Sequence, residues 1–274
     1  MKLAFSTLGC PEWDLDTIIS NAVENGYHGV DFRGYLGELN IFTFPAFSTN
    51  IKETVQKFQD ASLEIPCFSS SIQLFTTSHE ELGQYLHELR SYAQLCQYFN
   101  TPYIRVFGGP IIDVGRSKAV EIVVENLVEM LKIAEAFNVS LVLETHDDWT
   151  NCEHIAEVVE RVNSDYLHVL WDVHHPFRTA GEDPVLTWDT LGKRIKYTHW
   201  KDSYMKKDTD RGYQLCLLGE GDVPLQQMLQ LLVEKGYDGY FTLEWEKKWC
   251  PEIEEPEIAF KQYIEFMKSS FARI

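Results

Sequence analysis

The chain has 274 residues, with 24 Lys and Arg against 42 Asp and Glu, for a formal net charge of −18 at pH 7. That charge argues against nucleic acid or an anionic membrane as a partner, since approaching a polyanion costs work before any contact forms. A composition of 45% hydrophobic and 24% charged residues excludes a disordered polymer.

The opening stretch, MKLAFSTLGCPEW, has no apolar run followed by a small-residue cleavage site, so no secretory leader is expected. It supplies the first strand, 3–7, and then Asp14 as a helix cap before Leu15, with Gly26 closing that helix. Strands are predicted next at 29–33, 64–68 and 103–107. A helix over 120–137 follows, with Val124, Leu127, Val128, Leu131 and Ala134 on one face. A fifth strand covers 139–145, and Asn151 caps the helix that carries Ile155. Strands at 167–172, 195–200 and 239–244 complete the series, the last preceded by a helix that ends near Gly236.

The strand starts recur roughly every 34 residues, the size of a βα repeat. Eight such units predict a single (β/α)8 TIM barrel, with residues 1–274 as one domain. The first turn, LGCPEWD, lacks GxGxxG, which excludes a dinucleotide fingerprint. No run of about 18 apolar residues occurs, so no membrane helix is expected. The cysteines (Cys10, Cys67, Cys96, Cys152, Cys216, Cys250) stand singly, which suits free thiols and a cytoplasmic location better than disulfides or a thiolate zinc site.

Side chains two apart share a face of a strand, and barrel enzymes work at the C-terminal strand ends. In LVLETH, Leu141 and Leu143 oppose Val142, Glu144 and His146. In LHVLWD, Leu167, Val169 and Trp171 oppose Asp172, and in YFTLEWE, Phe241 and Leu243 oppose Tyr240, Thr242 and Glu244. With the apolar face packed on helices, Glu144, Asp172 and Glu244 project into the barrel mouth, and His199 ends the seventh strand at equal depth. Three carboxylates and an imidazole gathered at one end would repel and resist desolvation unless a divalent cation joined them. That donor set suits Mn²⁺, Zn²⁺, Co²⁺ or Mg²⁺. The plainer alternative has Glu144 and Asp172 capping loops or pairing with Arg105 and Lys201.

Other polar residues near strand ends carry two readings each. Arg33 shares a face with Asp31, as an internal ion pair or a substrate contact. Arg105 shares a face with Tyr103 and Phe107 and is placed at the mouth to orient a ligand. His146 lies beyond Glu144 on the same face, to bond a hydroxyl or orient Glu144. Lys201 either stabilises charge on a substrate oxygen, neutralises the carboxylates or makes a plain salt bridge. The LGEG turn offers backbone donors around Glu220, the EIEEPE run reads as a solvated helix start, and Trp13, Trp149, Trp245 and Trp249 either wall a sugar pocket or pack in the core.

In order along the chain, RVFGG (105–109), LVLETH (141–146), WDVHH (171–175), THWKD (198–202), LGEGDVP (218–224) and FTLEWE (241–246) resemble the motifs of the xylose-isomerase-like barrel superfamily. That superfamily includes sugar phosphate isomerases and epimerases, hydroxypyruvate isomerase, inosose dehydratase and endonuclease IV. The resemblance implies that Glu144, Asp172, His199 and Glu244 hold one divalent metal and that His175 contacts a substrate oxygen. Together with the inward alternation it implies that Glu144 and Glu244 are the catalytic carboxylates. His175, His146, Lys201 and Arg105 are the expected substrate contacts. Ketose epimerases of this type carry an arginine shortly after the strand-seven histidine. Here that stretch reads KDSYMKKD, leaving Lys206, Lys207 or the later Arg211 for the role.

The expected activity is divalent-metal-dependent isomerisation or epimerisation of a small sugar or sugar phosphate, by α-proton abstraction through a cis-enediolate. Dehydration of a keto-polyol, of the inosose or dehydroshikimate type, begins with the same step and is the alternative. A non-catalytic sugar-binding barrel is the alternative of another class. Endonuclease IV-like cleavage is disfavoured, because FSSSIQL and RVFGG offer no histidine for a multi-zinc cluster. The partner is a small sugar or polyol, with no nucleic acid and no membrane, and a homo-oligomer is left open.

Overall fold

Strand and helix alternate throughout the computed structural model, which describes residues 1–274. Eight parallel strands form a nearly closed barrel: β1 (Lys2–Ser6), β2 (Gly29–Asp31), β3 (Cys67–Gln73), β4 (Tyr103–Phe107), β5 (Ser140–Glu144), β6 (Leu167–Asp172), β7 (Ile195–Trp200) and, after an antiparallel hairpin of β8 (Asp202–Met205) and β9 (Tyr213–Cys216), β10 (Tyr240–Leu243). Their order is β2-β1-β10-β7-β6-β5-β4-β3, and the bridges Gly29–Glu64 and Phe32–Phe68 draw the two end strands together. Outside lie α1 (Leu15–Asn25), α2 (Ile51–Asp60), α3 (His79–Phe99), α4 (Arg116–Ala136), α5 (Cys152–Val162), α6 (His174–Ala180), α7 (Pro184–Leu191), α8 (Leu225–Glu234) and α9 (Pro256–Phe271). None of these helices is long and apolar enough to cross a membrane.

The local signals act as the sequence indicates. Asp14 accepts the Thr17 N–H at 2.9 Å, Asn151 accepts that of Glu153 at 2.9 Å, and Gly26 ends α1 at φ 80°. Two expectations shift. The third strand begins at Cys67 rather than 64 and runs on to Gln73, because Pro66 has no N–H to give to a ladder. On α4 the buried arc centres on Val123 and Met130, and Val128 is 47% exposed. The helix packs against both α3 and α5, which turns its apolar arc away from the face that periodicity alone suggests.

Inside the barrel, Ala4, Cys67, Val142, Leu170, Tyr197 and Tyr240 form an apolar plug separate from the core between sheet and helices. Two residues further along the same strands stand Ser69, Val142's successor Glu144, Asp172, His199 and Thr242, all buried. The two-residue period therefore turns the interior from apolar to polar in one step, at the C-terminal end.

The glycine after β4 maintains this end of the barrel. A Cβ on Gly108 would lie 2.0 Å from Cδ1 of Trp149, which is fully buried and donates its indole N–H to the Gly109 carbonyl at 2.9 Å. Gly108→Ala is therefore expected to cost about 2–3 kcal/mol. In a melting experiment Tm should fall by roughly 5–10 °C, and an unchanged Tm would show that Trp149 can move aside. Trp149 and Trp245 belong to the core, whereas Trp249 is half exposed and Trp13 borders an outer cavity of about 830 Å³.

Candidate metal centre

Glu144 and Asp172 end β5 and β6, His199 stands opposite Asp172 in β7, and Glu244 follows β10 with its N–H on the Trp200 carbonyl. All four are buried, and one ligand atom from each lies within 4.8 Å of the others. His199 Nδ1 is 3.1 Å from Glu144 Oε1 and 3.3 Å from Glu244 Oε1. The four side chains that the sequence places in register thus converge.

The opposite ring nitrogen of His199, Nε2, is 3.2 Å from Asp31 Oδ2, and that same oxygen accepts the Ser69 hydroxyl at 3.0 Å. Asp31 thereby holds a hydrogen on Nε2, so that Nδ1, which faces Glu144 and Glu244, is the nitrogen that would give its lone pair to a metal. Of the two readings of Arg33, the internal ion pair with Asp31 does not form. Asp31 turns across the barrel to His199, and Arg33 donates to Ser71 Oγ at 3.0 Å. Sequence alternation places Asp31 inside but does not reveal its partner, 168 residues away.

Two buried cations balance the carboxylates. Arg105 Nη1 donates to Glu144 Oε2 at 2.7 Å. Lys201 Nζ donates to Glu244 Oε2 at 2.5 Å and makes ion pairs with Glu246 Oε1 and Asp172 Oδ2, each at 2.9 Å. Both side chains therefore point at acidic groups of the site, and for Lys201 the geometry favours neutralisation over an outward salt bridge. Glu246 was not singled out from sequence, although it continues the Thr242–Glu244 face by one period. It also accepts Arg211 Nη1 at 2.6 Å. Arg211 is the residue after the strand-seven histidine that reaches the site; Lys206 turns to Gln214.

The electrostatics suit a cation. Burial pushes the Asp172 carboxyl up to about 6, opposed by Lys201 and reinforced by Glu244 and Glu144. Burial opposes ionisation of Glu144 too, but Arg105 and His199 hold it down at about 2. Burial would lower His199, yet Glu244, Asp31 and Glu144 hold it well above the ordinary imidazole range. A divalent ion among these oxygens would remove both the Asp172 penalty and the need for a proton on His199. Bonds of about 2.0–2.3 Å place opposed ligand atoms up to roughly 4.6 Å apart, so this quartet needs little contraction. The residues fit such an ion.

His175 is 9% exposed, with Nε2 unpartnered at 3.7 Å from Asp172 Oδ2 and its N–H on Asp172 Oδ1 at 3.1 Å. Burial, then the positive charge of Lys201, pushes its imidazole well down, so it is neutral. His146 makes no hydrogen bond to Glu144, although the Glu144 charge helps to raise its imidazole. It packs edge-on against His175, ring centroids 4.5 Å apart, with Nδ1 near Asp147 Oδ1 at 2.7 Å but out of hydrogen-bond alignment. The donors of the LGEG turn are engaged within the protein. Gly219 and Gly221 give their N–H groups to Asp202 Oδ2 at 2.8 and 3.1 Å, so Asp202 is the anchor of that turn.

The profile of the xylose isomerase-like TIM barrel family matches residues 19–270. Fructoselysine 3-epimerase of Escherichia coli O157:H7 is 28% identical over 147 residues, 52% of this chain and 50% of that protein. The chain thus spans about half the length of that curated relative. Among solved structures, the probable 3-DHS dehydratase AsbF of Bacillus anthracis superposes with TM-score 0.81 at 19% identity, covering 98% of this chain and 99% of that one. The IOLI protein with a bound zinc atom superposes with TM-score 0.79 at 18% identity, covering 100% and 97%. These structural likenesses establish the barrel fold.

Proposed function

The chain belongs to the xylose isomerase-like TIM barrel family, and from that membership we propose that it isomerises or epimerises a small sugar or sugar phosphate by proton transfer beside the carbonyl. The observation that carries this reading is the convergence of Glu144, Asp172, His199 and Glu244 from four adjacent barrel strands, buried and within 4.8 Å. A divalent ion held by these four supplies a Lewis acid for a carbonyl oxygen and its neighbouring hydroxyl. Mn²⁺, Zn²⁺, Co²⁺ and Mg²⁺ all match the donors.

The chain's own residues then divide the work. Glu144 and Glu244 come from different strands and both approach His199 Nδ1, so a small substrate over the quartet would lie within reach of both carboxylates. One removes the α-proton, and the other, protonated, returns a proton to the opposite face or to the adjacent carbon, through a cis-enediolate. Arg105 and Lys201, each through a contact of 2.7 Å or less, favour the ionised form required of whichever glutamate removes the proton; the other takes up a proton before it acts as the acid. His175, neutral and with Nε2 unpartnered, orients a substrate oxygen. His146, packed on His175, fixes that ring.

Dehydration of a keto-polyol begins with the same proton removal. It is supported by the engagement of Arg211 with Glu246, which leaves no free guanidinium after strand seven of the kind that the ketose epimerases carry.

The reading is tested by incubating the Mn²⁺-supplied protein in D₂O with a panel of ketoses, aldoses and inososes. Solvent deuterium should enter the inverted carbon for an epimerase, or C1 or C2 for an aldose–ketose isomerase. Product without solvent deuterium would point to a hydride shift between carbons and remove the two-base assignment. Loss of water from an inosose would select the dehydratase, and no conversion of any compound would leave a sugar-binding barrel.

A further inference from the structure

Three Lys or Arg residues are buried as a whole, Arg33, Arg105 and Lys201, and the Arg178 side chain is buried as well, held by Asp222 and Ser203. Arg105 is held by Glu144, and Lys201 by Asp172, Glu244 and Glu246. Arg33 makes no salt bridge. Its one side-chain partner is the neutral Ser71 hydroxyl, 3.0 Å from Nη1. A guanidinium carries five N–H donors, and burying its charge without an anion is costly.

The surroundings sharpen the anomaly. Arg33 and Arg105 lie against the same ring, their Cζ atoms 5.9 and 3.7 Å from the Phe107 centroid, so one buried cation neighbours another. Burial, with Arg105 adding repulsion, brings Arg33 down to about 10, and it remains a cation at neutral pH. Glu244 and Glu144 of the quartet partly offset that fall, and Glu88, from α3, is drawn toward ionisation by Arg33. That carboxylate accepts the Ser71 N–H at 3.4 Å, makes no ion pair with Arg33, and is itself raised by burial. The Arg33 backbone is fixed by its N–H on Thr7 Oγ1 at 3.0 Å, so the side chain starts from a rigid base. Arg33 lies two residues beyond Asp31, the support of His199, and therefore one step further out on the same face. Arg105 adds buried Nε and Nη2 groups that have no partner.

We propose that the substrate carries an oxyanion, as a carboxylate or a phosphate ester, and that Arg33 holds it while the polyol part lies over the Glu144–Asp172–His199–Glu244 quartet. The inference rests on the polyol reading given under Proposed function and adds the charge that the substrate must bear. A planar guanidinium meets either oxyanion through two parallel N–H···O bonds, and the fixed anion supplies the charge that the protein withholds.

Three probes sharing one carbon chain separate the sources: erythritol, erythronate and erythritol 4-phosphate. Calorimetric titration of the Mn²⁺-supplied protein should show at least one anionic probe binding about 10- to 100-fold tighter than erythritol, and the tighter of the two identifies carboxylate or phosphate. Arg33→Gln should bring that probe down to the erythritol level with little change for erythritol itself. Arg33→Lys keeps the charge but not the fork, and it should give an intermediate affinity, which decides the matter if the glutamine variant does not fold. Equal binding of all three probes, no binding of any, or an anion preference that survives Arg33→Gln would each overturn the proposal. An Arg33-dependent preference without deuterium uptake from D₂O into any panel sugar would keep this inference and remove the proton-transfer reading, and deuterium uptake without anion preference would do the reverse.

Discussion

Replacing Glu144 or Glu244 with glutamine is expected to lower turnover by about 10²–10⁴-fold, while the protein keeps most of its metal. In the proposed reaction each glutamate has two tasks, as an oxygen ligand and as a proton carrier, and glutamine retains the first and abolishes the second. Both side chains approach His199 Nδ1, at 3.1 and 3.3 Å, so neither is remote from the quartet. Each also has its own cation, Arg105 for Glu144 and Lys201 for Glu244. Losing one carboxylate therefore frees a buried positive charge, and part of the effect will reach stability as well as rate. Metal analysis, melting curves and turnover measured on the same preparations separate the two. If activity and metal fell in parallel, the glutamates would be ligands alone.

The second large effect is on metal content. Asp172→Ala and His199→Ala each delete one of the four proposed ligands and should leave the purified protein almost free of the divalent ion, which the wild type is expected to carry at about one per chain. The remaining carboxylates would then face one another at close range with only Arg105 and Lys201 to offset them. Tm should fall, and added metal should no longer raise it. Asp31→Asn is the graded member of the series. It touches no ion, but it weakens the acceptor at His199 Nε2, and supporting groups of this kind change affinity by roughly 10- to 100-fold. A competitive chelator titration would show the difference, and equal affinity in Asp31→Asn and wild type would reduce Asp31 to a packing residue. Full occupancy in both alanine variants would remove the quartet as the metal site.

The repeating strand–helix order, the barrel and the inward set of Glu144, Asp172, His199 and Glu244 were all legible in the sequence. They depend on features that the chain encodes locally: the two-residue period of a strand, the apolar stripe of a helix, and caps such as Asp14, Asn151 and Gly26. The local code was weaker where neighbours compete, as at Val128, whose exposure follows from the way α4 packs against two other helices. Pro66 likewise delays the third strand because the barrel ladder needs an N–H that proline lacks.

Pairings among polar groups were decided only by closure of the barrel. Asp31 and Arg33 share a strand face, and in the sequence their nearest opposite charge is each other. In the folded chain, β2 stands where Asp31 reaches His199 and Arg33 is left with Ser71. Lys201 similarly meets Glu244 and Glu246 only because β7 and β10 are adjacent, although 43 residues separate Lys201 from Glu244. Periodicity states which face a side chain takes, since backbone geometry repeats every two residues. It contains no information on which distant strand lies beside that face, and electrostatic partners are selected by that proximity, because their attraction in a buried site depends on a few ångströms of separation.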